Sequence, residues 1–203
     1  PDLAGLEKYR WGLVHRLDRD TSGLLLVARS AATFELLQEE LRLRRIERTY
    51  LALVEGIPEG GRGTVDAPIG RDPHHPTRMA LVGDGRPART HFRRIAAWRD
   101  AALLEVHLET GRTHQIRVHL ASIGHPVVGD RAYGGRRGRH RGDPGRQWLH
   151  ASRLVFGHPV DGRSVQVSST PPDDLRAGIA ALAEPEIGAV PDWGGSQGRR
   201  QPG

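Results

Sequence analysis

Short β-favouring runs joined by tight turns dominate this chain, and only three stretches carry helical periodicity, which confines it to an α+β class built on hairpin-linked strands. Extended segments are predicted over 12–17, 24–27, 49–54, 63–69, 90–97, 101–108, 148–156 and 164–167. Ser30 is read as the N-cap of a helix over 31–46, in which Phe34, Leu36, Leu37, Leu41 and Leu43 recur among charges. Further helices are predicted over 113–123 and 171–182. The stretches 70–86 and 134–145, rich in Gly, Pro and basic residues, read as loops. From Pro185 onward Pro, Gly, Gln and Arg take over, so the chain divides into one domain over 1–184 and a disordered tail over 185–203.

The charge balance points to an anionic partner. The formal net charge is +6, and of the 30 basic residues all but Lys8 are arginine, the side chain whose planar fork suits phosphates and stacks on bases. There is no cysteine, which excludes a disulfide framework, a thiolate nucleophile and cysteine-ligated metal. The eleven histidines show no metal-ligand spacing, and the glycines after Tyr133 lack a phosphate-loop signature, so no metal and no nucleotide cofactor are expected. No apolar run approaches the length of a membrane span, and the chain reads as a cytoplasmic protein without membrane contact.

The densest chemistry lies between the first two runs, where Asp18, Arg19, Asp20, Thr21, Ser22 and Gly23 form a polar turn flanked by apolar residues. If the first run is extended, its period of two sets Arg16 and Asp18 on one face, a cation beside a carboxylate at a strand end. The pair Asp18 and Asp20 fits a phosphatase signature only loosely. That chemistry wants a downstream cation and an acidic magnesium pair after an apolar strand, whereas Lys8 lies upstream and Asp173 and Asp174 follow two prolines.

The run His15-Arg16-Leu17-Asp18, continued by Thr21-Ser22-Gly23 and an apolar stretch, resembles the signature of the RluA family of RNA pseudouridine synthases. A second match runs from Glu109-Thr110-Gly111-Arg112-Thr113-His114-Gln115-Ile116-Arg117 to His119-Leu120 and on through Gly124 to Gly134. A third is Arg48-Thr49-Tyr50 with the apolar residues after it. The similarity covers roughly 12–175, and the motif order agrees with the RluD-like members that modify large-subunit ribosomal RNA. Such proteins begin with an S4-type RNA-binding domain and a strand bearing an Asn-Lys-Pro-type motif. This chain opens on Pro1 without either, which implies an N-terminally truncated chain with impaired RNA affinity.

The resemblance implies a pseudouridine synthase fold, a largely antiparallel mixed sheet with flanking helices and a central active cleft. It implies Asp18 as the catalytic nucleophile, Arg117 as the arginine paired with it, and Tyr50 as a contact to the target base. Ile116 is expected against the uracil face, Arg16 in the space vacated by the flipped base, and His114, Arg71 and Arg78 at the RNA. The expected activity is isomerisation of specific uridines in large-subunit ribosomal RNA by a cofactor-free monomer. The alternatives are a synthase acting on transfer RNA, and a non-catalytic RNA-binding protein or inactive fragment.

Overall fold

The structure, a computed structural model, describes residues 7–134 and 140–193. In chain order its strands are β1 (Ser22–Gly23), β2 (Glu47–Glu55), β3 (Arg62–Asp66), β4 (Ile69–Arg71), β5 (Met79–Leu81), β6 (Arg89–Trp98), β7 (Ala101–Leu108), β8 (Leu149–Gly157), β9 (Ser164–Ser168) and β10 (Ile187–Gly188). The helices are α1 (Ala31–Arg42), α2 (Gln115–Ser122) and α3 (Asp173–Ala180). Eight strands form one sheet in the order β1-β8-β2-β7-β6-β10, with β3 beside β6 and β9 beside β8. Every pairing in it is antiparallel except β1 with β8, so the sheet is mixed and largely antiparallel, as the sequence predicts.

The centre of the sheet is β2, buried from Arg48 to Val54 without alternation because side chains on both faces are covered. Leu53, Leu103, Leu104, Leu120 and Trp148 are fully buried around it. The Trp148 indole N–H is satisfied by the Leu175 carbonyl at 2.8 Å, which also fixes α3 to the core. A second apolar cluster of Val14, Ala28, Leu37 and Ile46 seats α1 beside the turn that carries Asp18.

Several elements differ from the sequence reading for identifiable reasons. Ser30 does cap α1, accepting from the Thr33 amide at 3.2 Å, yet the helix stops at Arg42 because Arg44 turns left-handed at φ 59°. The run 63–69 breaks at Pro68, which has no amide to donate; β3 stays on the main sheet while β4 pairs with β5 in a separate hairpin inside the expected loop 70–86. The runs 12–17 and 24–27 are not strands. They meet through the Leu13–Val27 bridge and the Leu26 amide on His15 Nε2, and the pairing in this region is taken by Ser22 and Gly23 against β8.

The expected tail is another. Residues 185–193 lie against the sheet: the Glu186 amide donates to the Ala97 carbonyl at 2.8 Å, Ile187 and Gly188 pair with Ala97 and Ala96, and Trp193 meets Trp148 at 6.3 Å between ring centroids. On that side β3 covers β6 only from Arg89 to Arg93, and β10 takes the backbone groups left open beyond it. Residues 194–203, also assigned to the tail, lie outside the described residues, as does 135–139 of the expected loop 134–145.

Gly23 is the tightest point of the β1–β8 pairing. Its φ is 111°, and a Cβ there would lie 2.2 Å from the Ala151 carbonyl oxygen. Gly23→Ala should cost about 2 kcal/mol or more in urea denaturation, whereas Gly83→Ala, with nothing within 4 Å of the added atom, should stay within about 0.5 kcal/mol of the parent.

Candidate active site

The turn bearing Asp18 is fastened at successive positions. Its own backbone closes it, the Thr21 amide donating to the Asp18 carbonyl at 3.0 Å. Arg146 donates to the Asp20 carbonyl at 2.7 Å while its other nitrogens fork onto Asp174, at 2.6 and 3.0 Å, so α3 and the turn share one guanidinium. Gln147 reaches Thr21 at 3.3 Å. The Ser22 hydroxyl lies 3.0 Å from His150 Nδ1, and His150 Nε2 lies 3.0 Å from the Ser169 carbonyl. A ring nitrogen facing a carbonyl must carry the proton, so Nδ1 is the acceptor and Ser22 the donor.

Asp18 faces a cation from α2. Arg117 Nη1 donates to Asp18 Oδ2 at 3.0 Å, and the two side chains are 8% and 13% exposed. The rest of the same guanidinium forks onto Asp130, Nε to Oδ2 at 2.7 Å and Nη2 to Oδ1 at 2.8 Å. Asp130 is wholly enclosed and also accepts the amides of Ala132 and Tyr133. Burial works against the Arg117 cation, but its hydrogen bonds and charge pairing with Asp130, and then with Asp18, outweigh that and raise its pKa. The Tyr133 ring lies 5.0 Å from the Arg117 guanidinium carbon. Its hydroxyl accepts the Met79 amide at 2.9 Å and lies 2.7 Å from His114 Nδ1.

His114 precedes α2 in a left-handed conformation at φ 57°, a strained setting for a residue with a Cβ. Gln115 beside it is fully used: its oxygen accepts from Arg112 N and Thr110 Oγ1, and its amide nitrogen donates to the Arg89 carbonyl and Thr90 Oγ1. This amide fixes the loop entering α2 and so the origin of Arg117.

Asp18 and Arg117 open onto a cleft of about 640 Å³. Eight arginines and two carboxylates line it among the described residues, which makes it a basic channel. Tyr50 lies in its wall. Burial raises the Tyr50 pKa; the charge of Arg48 opposes that and the charge of Asp18 adds to it, so the phenol sits within the fields of both.

Six of the residues anticipated from sequence meet here: Asp18, Arg117, Tyr50, Arg16, Ile116 and His114. Arg71 and Arg78 do not line the cleft. Arg71 donates to the Pro76 carbonyl within the β4–β5 hairpin, which meets the site through the Met79–Tyr133 bond and the packing of Ile69 on Val118 of α2. The expected Arg16–Asp18 pair does not form, because Asp18 lies in the turn and its cation arrives from α2, while Arg16 is exposed at the cleft. Asp130, Tyr133, His15 and Arg48 were not singled out from sequence. The first two stand in the run Gly124 to Gly134, whose Gly129-Asp130 reads as an ordinary turn, and nothing in the spacing reveals that Asp130 faces Arg117.

The comparisons with known proteins agree with this geometry. The family described as RNA pseudouridylate synthase matches over residues 2–122. An uncharacterized RNA pseudouridine synthase of Chloroflexus aurantiacus is 50% identical over 184 residues, 91% of this chain and 57% of that protein. The ribosomal large subunit pseudouridine synthase D of Nitrosomonas europaea is 49% identical over 182 residues, 85% of this chain and 52% of that one. The chain thus spans somewhat over half the length of these relatives. The structure of human RNA Pseudouridylate Synthase Domain Containing 1 superposes with a TM-score of 0.73 at 32% identity, covering 94% of this chain and 82% of the human one. The chain belongs to the RNA pseudouridylate synthase family.

The site's buried histidines give the fold a pH limit. Burial, and then the charge of Arg48, holds His15 down at about 4, and burial also lowers His114, His119 and His150. These groups are neutral in the fold and titrate near 6.5 when unfolded, so the unfolded chain takes up protons first as pH falls. Stability is therefore full above about pH 6.5 and declines until the native group titrates, near 4 for His15, which alone contributes up to about 3 kcal/mol. Denaturation at about pH 7.5 and pH 5 should show that loss, and His15→Gln should reduce it; equal stability at the two pH values would contradict the assignment.

Proposed function

We propose that this member of the RNA pseudouridylate synthase family isomerises specific uridines to pseudouridine in large-subunit ribosomal RNA. The observation that carries the reading is the Asp18 carboxylate, held by a buried guanidinium, in an arginine-lined cleft. The reaction breaks the C1'–N1 bond of uridine, turns the free base and joins C5 to C1'; the proton lost from C5 is balanced by the one gained at N1. Nothing is oxidised or reduced, so the chemistry itself asks for no cofactor.

Asp18 is the carboxylate of the reaction, acting at the sugar as a nucleophile or as a base. Arg117 keeps that carboxylate oriented, because a guanidinium tied at two nitrogens to Asp130 has little freedom to swing away. Tyr50 and Ile116 enclose the flipped uracil, His114 contacts the substrate strand, and Arg16, exposed at the rim, fills the stacking space left in the RNA. Arg71 and Arg78 would meet RNA outside the cleft, from the β4–β5 hairpin. The relatives named for the ribosomal large subunit favour that substrate over transfer RNA; the proposal takes the chain to act as a monomer in the cytoplasm.

Incubation with unmodified ribosomal RNA, followed by mapping of pseudouridine, tests the reading. The parent chain should give a site-specific signal and Asp18→Asn should give none while RNA affinity stays within about threefold. Signal on transfer RNA alone would move the substrate; undiminished turnover by Asp18→Asn would remove Asp18 from its role.

A further inference from the structure

Arg48 is buried to 8% exposure in the cleft; its Nε is buried without a hydrogen bond, and among the described residues no acid pairs with its guanidinium. It lies against the backbone of Gly111, where a Cβ would come within 2.7 Å of its Nη1. The other cleft arginines are differently placed. Arg44 pairs with Glu109 at 2.8 Å, Arg112 donates to the Pro87 carbonyl at 3.0 Å, and Arg117 is engaged by two carboxylates. A buried cation with no counter-charge destabilises a free fold, so a ligand that brings the negative charge is the natural complement.

A second donor accompanies it. His15, 6% exposed, accepts the Leu26 amide at Nε2, 3.2 Å away, which leaves the proton on Nδ1. That nitrogen is buried with the Arg16 backbone as its near neighbour and makes no hydrogen bond of ordinary geometry among the described residues. A neutral N–H beside a guanidinium adds a directional donor without further positive charge. Arg48 and Tyr50 are two residues apart on β2 and both line the cleft, a separation of roughly 6–7 Å along a strand. Tyr50 in the base pocket and Arg48 one step along the strand are spaced like the base and the phosphate of a single nucleotide.

We propose that Arg48 and His15 form an anion seat in the cleft that receives one backbone phosphate of the substrate RNA next to the isomerised uridine. The assignment rests on the RNA substrate proposed above and adds to it a defined phosphate contact. The seat sets the register of the strand in the cleft, so that the nucleotide beside the held phosphate is the one delivered to Asp18. Phosphate contacts of this kind position a nucleic acid without reading its sequence.

Two measurements test it together. In the first, thermal melting of the parent chain, Arg48→Gln and Arg48→Lys is followed in chloride and in inorganic phosphate at equal ionic strength. Phosphate should raise the parent's melting temperature and leave Arg48→Gln unmoved, with Arg48→Lys between them. In chloride Arg48→Gln should melt no lower than the parent, since it removes a buried uncompensated charge; a lower melting point there, or an equal response to phosphate, overturns the seat. In the second, RNA carrying the mapped uridine is made with single neutral methylphosphonate linkages around it. One linkage should weaken binding to Asp18→Asn by about tenfold and have little further effect on the Asp18→Asn, Arg48→Gln double variant. Equal penalties in both chains overturn the RNA assignment. A chain that isomerises no uridine yet shows the phosphate response retains the seat and loses the proposed function; turnover without either effect does the reverse.

Discussion

The geometry of the candidate site depends on one guanidinium being shared unequally by two carboxylates. Asp130 takes the fork of Arg117 and two backbone amides, so its acceptor capacity is used inside the protein. Asp18 takes one bond from the same group, to Oδ2, and its Oδ1 accepts no hydrogen bond among the described residues. The first carboxylate is an anchor and the second is left open to the cleft. Removing one partner of such a buried set strands a charge at about 3–5 kcal/mol, which explains why the arrangement tolerates so little freedom.

The fold serves that sharing by bringing four distant segments to one point. α2 is buried from Gln115 to Leu120 and carries Arg117 on a helix pinned by Gln115 at its start and His119 in its last turn, both bonded to Thr90 of β6. The turn with Asp18 cannot drift from β8, because Ser22 and Gly23 are paired there and Arg146 holds its backbone. β2 supplies Tyr50 and Arg48 from the most enclosed position in the sheet. The catalytic proposal and the phosphate seat therefore draw on the same two walls of a cleft lined by eight arginines against two carboxylates, Asp18 and Glu109.

Much of this was legible in the sequence, and the exceptions share a cause. Ser30, the strands around 101–108 and the identity of Asp18 and Arg117 follow from local signals: a capping hydroxyl, alternation about a turn, and motif residues. Partnerships across the chain do not. Asp18 and Arg117 are 99 residues apart, and the neighbour that strand periodicity offers, Arg16, is the wrong cation. Nothing local to Asp130, between Gly129 and Arg131, names its partner, and Arg48, between Glu47 and Thr49, reads locally as an ordinary strand residue. Pro68 did mark the break between β3 and β4, and its missing amide is a signal the extended reading of 63–69 passed over. The edge strand β10 was hidden because composition shows low hydrophobicity but not the open backbone groups of a distant strand.

The most direct test of the shared guanidinium is a double-mutant cycle on turnover between Asp130→Asn and Arg117→Met, with folding of each variant checked by melting. If Asp130 acts on the chemistry through Arg117, each single variant is slow and the double variant is no slower than Arg117→Met alone. Independent losses that multiply in the double variant would contradict the account, because they would mean that Asp130 reaches the reaction by some route other than the guanidinium that holds Asp18.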